Sequence, residues 1–118
     1  MDAILKGRWI LLVEDQPLVV LDIADALKRA GASVLSAVTL QEGLRLAEHQ
    51  DLSAAILDFA LREGDTAVLC TRLTERGIPF IVYTGYDQVN DACRAGVIVA
   101  KPAAPDILLV TLAQMLRE

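Results

Sequence analysis

Apolar residues in this chain gather in two alternating kinds of stretch. Short, near-continuous runs rich in Val, Ile and Leu occupy residues 9–13, 33–38, 54–57, 80–83 and 97–100. This is the pattern of strands buried on both faces. Longer segments with helical periodicity lie between them, and a fifth closes the chain. Pro17 suits the first turn of the first helix, and Gly31 suits the position just past its end. Thr39 with Glu42 forms a capping box for the second, whose Leu40, Leu44 and Ala47 share one face. Gly64 and Asp65 open the third and Gly77 closes it. Gly96 closes a short fourth, and the fifth runs from Pro105 to about Leu116.

Five strand–helix units in alternation predict an α/β fold, a parallel sheet with helices on both faces and right-handed crossovers. At this length the expected architecture is the doubly wound, flavodoxin-like order 2-1-3-4-5. Ligands then sit beyond the carboxyl ends of strands 1 and 3. The strand ends carry polar residues: Glu14 and Asp15 after strand 1, Asp58 after strand 3, Thr84 after strand 4, and Lys101 followed by Pro102 after strand 5. Taken singly, each has an ordinary reading. Asp15 caps a helix as readily as it binds anything, Asp58 is a solvated loop residue, Thr84 satisfies backbone groups, and Lys101 is a surface lysine. Taken together, three carboxylates at one point repel one another unless positive charge lies among them. Lys101 supplies one such charge. A hard divalent cation such as Mg2+, which takes carboxylates, waters and phosphate oxygens, supplies the rest. A carboxylate in such a place can act as a nucleophile toward phosphorus. The sequence has neither G-x-G-x-x-G nor G-x-x-x-x-G-K-[ST], so the phosphate is expected to arrive on a protein or a small donor rather than on a nucleotide.

Composition narrows the remaining classes. The 118 residues are expected to form one domain, 1–118, and 54% of them are apolar. Eleven Lys and Arg against sixteen Asp and Glu give a net charge of −5, which argues against a nucleic-acid partner. The first apolar run is too short for a signal or membrane segment, so a cytoplasmic protein without a membrane partner is expected. Cys70 and Cys93, with no Cys-x-x-Cys, suggest neither a disulfide framework nor a zinc knuckle. Cys70 is expected to pack beside Leu69 and Leu73. The single histidine, His49, is expected at the surface.

Glu14-Asp15, Asp58, Thr84 and Lys101-Pro102, at successive strand ends over essentially the whole chain, resemble a response-regulator receiver domain of two-component signalling. The resemblance implies that Asp58 is the phosphoacceptor and that Glu14, Asp15, Asp58 and the backbone carbonyl of Ala60 hold Mg2+. It implies that Thr84 is the switch hydroxyl, Lys101 the phosphate-sensing lysine, and the Lys101–Pro102 peptide cis. The partner it implies is a histidine kinase or a phosphotransfer protein. Residues 80–86, Phe-Ile-Val-Tyr-Thr-Gly-Tyr, are similar to the so-called FAT GUY receivers, which points to kinases of the HWE and related classes.

Two features depart from the usual receiver. The aromatic three residues before the lysine is Ile98 here, and the proline in the loop after the acceptor is missing from residues 59–64. With a stiff aliphatic residue at 98, the signal is expected to leave through the loop Thr84-Gly85-Tyr86-Asp87. Tyr83 and Tyr86 read equally as packing or as parts of the switch. The last helix, with Ile107, Leu108, Leu109, Val110, Leu112, Met115 and Leu116, is apolar nearly all round. It is expected to be covered by a partner or a second copy, as a homodimer. Two other readings are a receiver-like interaction module that takes no phosphate and a Toprim-like metal-dependent phosphoesterase. The latter wants an Asp-x-Asp pair where the chain has Asp58-Phe59-Ala60.

Overall fold

The computed structural model describes residues 3–58, 66–85 and 89–117. Five parallel strands form one sheet in the order β2-β1-β3-β4-β5: β1 Trp9–Val13, β2 Ser33–Ala37, β3 Leu52–Asp58, β4 Phe80–Thr84 and β5 Val97–Ala100. The helices are α1 Pro17–Arg29, α2 Leu40–Leu46, α3 Ala67–Glu75 and α4 Pro105–Met115. The sheet order is the one the strand–helix alternation predicts.

Alternation along the strands divides the core in two. Ile10, Leu12, Ala54, Ile56, Ile81 and Tyr83 pack on one face with Ile23 and Leu27 of α1 and Leu108 and Leu112 of α4. Leu11, Val13, Ala55, Leu57, Phe80 and Val82 pack on the other with Ala47 and with Leu69 and Leu73 of α3. Central strands therefore read as unbroken apolar runs. The edge strands do not fit that description, because each has a neighbour on one side only. In β5, Val97 and Ile98 are exposed, Ile98 at 46%.

Helix ends follow the sequence signals closely. Pro17 sits in the first turn of α1, with Gln16 rather than Asp15 at the N-cap. Gly31 follows the helix at φ +95°, where an added Cβ would also lie 2.8 Å from Ala3 Cβ. The Thr39 side chain accepts the Glu42 N–H at 3.1 Å and opens α2, while the Glu42 carboxylate pairs with Arg45 one turn on. Thr66 is the N-cap of α3; the start expected at Gly64 and Asp65 lies outside the described residues.

Two expectations need correction. The short fourth helix is only a 3-10 turn, Cys93–Ala95. The Asn90 side chain accepts the Cys93 N–H at 2.9 Å. At Gly96 the chain passes so close to Phe80 that a Cβ would lie 2.5 Å from the ring, which fixes where the turn must end. Second, Cys70 and Cys93 are disulfide-bonded, with their Cα atoms 5.1 Å apart. Cys70 does face the core beside Leu69 and Leu73, but its partner is 23 residues away and meets it only once α3 and the turn lie side by side. His49 lies at the surface as expected, half-buried. It stacks on Trp9 with ring centroids 4.7 Å apart, and its Nδ1 accepts the Asp51 N–H at 3.1 Å.

Candidate functional site

The carboxyl ends of β1, β3, β4 and β5 bring the singled-out polar residues to one edge of the sheet. Ligand oxygens of Glu14, Asp15 and Asp58 all lie within 4.8 Å of one another. Glu14 directly follows β1, and Asp58 is the last residue of β3. Both are nearly sealed from solvent, at 1% and 3% exposure. Thr84, the last residue of β4, is buried too.

Each is held by the local chain. The Gln16 N–H donates to Glu14 Oε1 at 3.0 Å, which turns the carboxylate back toward the site at the β1–α1 corner. Lys101 Nζ donates to Asp58 Oδ1 at 3.0 Å, from a side chain only 27% exposed. The lysine is anchored at its root, since its N–H donates to the Thr84 carbonyl at 2.8 Å. The Lys101–Pro102 peptide is cis.

Electrostatics mark the site as unbalanced. Burial raises the Glu14 carboxyl to about 7. The Gln16 N–H opposes that rise, the Asp58 charge and a hydrogen bond with Asp58 add to it, and Lys101 lowers it only partly. One ammonium does not offset three clustered carboxyl groups. The donor set is all hard oxygen, two of its members are buried, and their mutual repulsion raises a proton affinity that a cation would relieve. That chemistry fits a hard divalent cation and offers nothing to a softer metal. The remaining expected contributor, the Ala60 carbonyl, lies outside the described residues, as do Tyr86 and Asp87 of the loop after Thr84.

Sequence reasoning located this cluster but missed a contact beneath it. Tyr83 is not only packing: its hydroxyl reaches the backbone beyond Pro102, and its ring lies under the Lys101 ammonium. The legible signal was a polar-tipped aromatic ending an apolar strand, next to the site residue Thr84.

Comparison with known proteins agrees with this geometry. The family model for the response regulator receiver domain matches residues 10–113. No curated protein matches the sequence closely enough to count as a relative. Among solved structures, a CheY-like response regulator receiver domain protein from Methanospirillum hungatei is 27% identical, with a TM-score of 0.82 over 92% of this chain and 93% of that one. The receiver domain of the sensor histidine kinase PA1611 from Pseudomonas aeruginosa, with a magnesium ion coordinated in its active-site cleft, is 28% identical. Its TM-score is 0.80 over 93% of this chain and 98% of that one. A Burkholderia pseudomallei response regulator with a phosphorylated aspartic acid, calcium ion and citrate shares the fold, at 24% identity and a TM-score of 0.78 over 92% of this chain and 69% of that one.

Proposed function

The chain belongs to the response-regulator receiver-domain family, and on that premise we propose that Asp58 is its phosphoacceptor. Members of the family are phosphoacceptor modules of two-component signalling, phosphorylated by histidine kinases or phosphotransfer proteins. The observation that carries the assignment to Asp58 is its place between two kinds of partner. It sits in the acidic cluster on one side and takes the Lys101 ammonium at 3.0 Å on the other.

In the proposed reaction an Asp58 carboxylate oxygen attacks the phosphorus of a phosphohistidine. The oxygen–phosphorus bond forms, the phosphorus–nitrogen bond breaks, and the imidazole leaves with a proton. Glu14, Asp15 and Asp58, with the Ala60 carbonyl, would hold Mg2+, as supported by the magnesium in the cleft of the Pseudomonas receiver. When bound, the ion supplies neutralisation of charge on the phosphoryl oxygens. Lys101 donates to one phosphoryl oxygen and the Thr84 hydroxyl to another. The same residues leave the acyl phosphate open to slow hydrolysis, so the domain catalyses its own phosphotransfer and slow dephosphorylation.

The Thr84-Gly85-Tyr86 sequence supports a kinase of the HWE and related classes as donor. Val97 and Ile98 of β5 with Ile107 and Val110 of α4, all exposed apolar residues, support a homodimer through that side of the molecule. Among the described residues, no helix is long and apolar enough to cross a membrane.

Incubation with acetyl phosphate and Mg2+ followed by intact-mass measurement tests the assignment. One added phosphoryl mass is expected for the wild type, and none with EDTA present or in Asp58→Ala. An adduct that persists in Asp58→Ala places the acceptor elsewhere. No adduct at all in the wild type favours the interaction module that takes no phosphate.

A further inference from the structure

We infer that Tyr83 is a positioning residue for Lys101 and joins that lysine to the start of α4. This rests on the reading of Lys101 as a phosphoryl contact. Tyr83 is the penultimate residue of β4 and is 8% exposed. Lys101 Nζ lies 5.1 Å from the centroid of its ring, inside the range in which a ring face attracts a cation. The Tyr83 hydroxyl donates to the Ala103 carbonyl at 3.2 Å and stands 3.3 Å from the Ala103 N–H, which it accepts. One side chain therefore touches the ammonium and also the backbone two residues beyond it. Ala104, the next residue, is the N-cap of α4.

The need for such a residue follows from the lysine itself. A lysine side chain is a flexible four-carbon stem with a point charge, and holding it in one geometry costs rotamer entropy. Its root is fixed through Thr84 and its tip through Asp58. When the Asp58 oxygen becomes part of an acyl phosphate, the tip must find a phosphoryl oxygen instead. The Tyr83 ring limits where the ammonium goes during that exchange. Ile98 has no part in this: it is paired in register with Val82 and is exposed to solvent, with neither a ring face nor a hydroxyl. The link from Lys101 toward α4 therefore passes through the neighbouring strand.

The test is a double-mutant cycle read by calorimetric affinity for beryllofluoride, a phosphoryl mimic, in saturating Mg2+. Tyr83→Leu removes ring and hydroxyl, and a three- to tenfold weakening is expected, about the scale of a lost cation–π contact with its anchoring. Tyr83→Phe keeps the ring, and about a twofold weakening is expected. Neither variant should change Mg2+ affinity in the absence of beryllofluoride. In a Lys101→Met background, which binds beryllofluoride more weakly, adding Tyr83→Leu should weaken it no further. Leu112→Ala, a cavity in the same core layer, should lower thermal stability with beryllofluoride affinity unchanged. Equal losses from Tyr83→Leu in both backgrounds, or no loss from either Tyr83 variant, overturn the role of Tyr83 and leave that of Lys101 standing. If Lys101→Met alone binds beryllofluoride as tightly as the wild type, the phosphoryl contact by Lys101 fails, and the positioning role fails with it. Where Tyr83→Leu does not fold, Tyr83→Ile, which also lacks ring and hydroxyl and suits a strand, reads the same coupling with and without Lys101→Met.

Discussion

Glu14 shows how one residue carries both the fold and the chemistry of the site. Its carboxyl is buried at the corner where β1 meets α1, and burial raises it to about 7 from an ordinary value of 4.5. The folded chain thus binds a proton that the unfolded chain releases between those values. The contribution to stability is complete below about 4.5 and is lost as pH rises through about 7. Thermal melts of the metal-free protein should show the melting temperature falling across that window, and Glu14→Gln should flatten the slope; a wild-type melting temperature that rises across it contradicts the raised carboxyl. A cation competes with the same proton, so the slope for metal runs the other way. Mg2+ affinity should fall by up to about tenfold for each pH unit below 7, as expected for release of one proton on binding. Calorimetry in two buffers of different ionisation enthalpy would count that proton, and a pH-independent affinity contradicts the account. At this scale most of the site was legible in the sequence. Glu14, Asp15, Asp58, Thr84 and Lys101 stand where strands end, and a parallel sheet brings strand ends together. The hydroxyl contact of Tyr83 was not, because it depends on the path of the backbone after Pro102, which a residue pattern does not encode.

Elements carry the second kind of information, and they explain where the sequence reading fell short. The strands of this chain are short apolar runs bounded by polar residues, and the helix starts carry a Thr39 cap in α2 and a proline in α1 and α4. Both are local signals, and both were readable. The Cys70–Cys93 disulfide is a tertiary fact: it joins α3 to the 3-10 turn that stands where a fourth helix was expected. Both sulfur-bearing residues are fully buried, and the Thr66 hydroxyl lies 3.4 Å from Cys93 Sγ. A cross-link closing a loop of 23 residues is worth about 3 kcal/mol in chain-entropy terms. Reduction should therefore lower the melting temperature, and the effect of reductant should vanish in Cys70→Ala with Cys93→Ala. Wild-type melting that is the same with and without reductant contradicts a stabilising bond. Since β4 ends at Thr84 and the turn begins at Cys93, the bond fixes the far end of the segment that starts at the site.

At the scale of the whole molecule, both faces of the sheet are covered, and exposed apolar residues remain on several elements, Leu18 and Leu21 of α1 and Val68 of α3 among them. Val97, Ile98, Ile107 and Val110 lie on β5 and α4, next to the Lys101–Pro102 turn that leads from the site into α4. A surface so placed can report on the site's occupancy. Sedimentation velocity across concentration, with and without beryllofluoride, should show a shift toward dimer when the mimic is bound. A strict monomer in both states contradicts the homodimer and leaves this surface to another protein. The apolar character of the last helix was readable from its sequence, whereas the exposure of β5 followed only from its place at the edge of the sheet. Signalling through this surface depends on one covalent event, the proposed phosphorylation of Asp58. Its most direct measurement is reductive trapping: the protein is treated with acetyl phosphate and Mg2+, the acyl phosphate is reduced with borohydride, and the modified peptide is sequenced by mass spectrometry. The account predicts conversion of the side chain at position 58 to the corresponding alcohol, dependent on Mg2+. Reduction at Asp15 or at any other carboxylate, with position 58 unmodified, would contradict it.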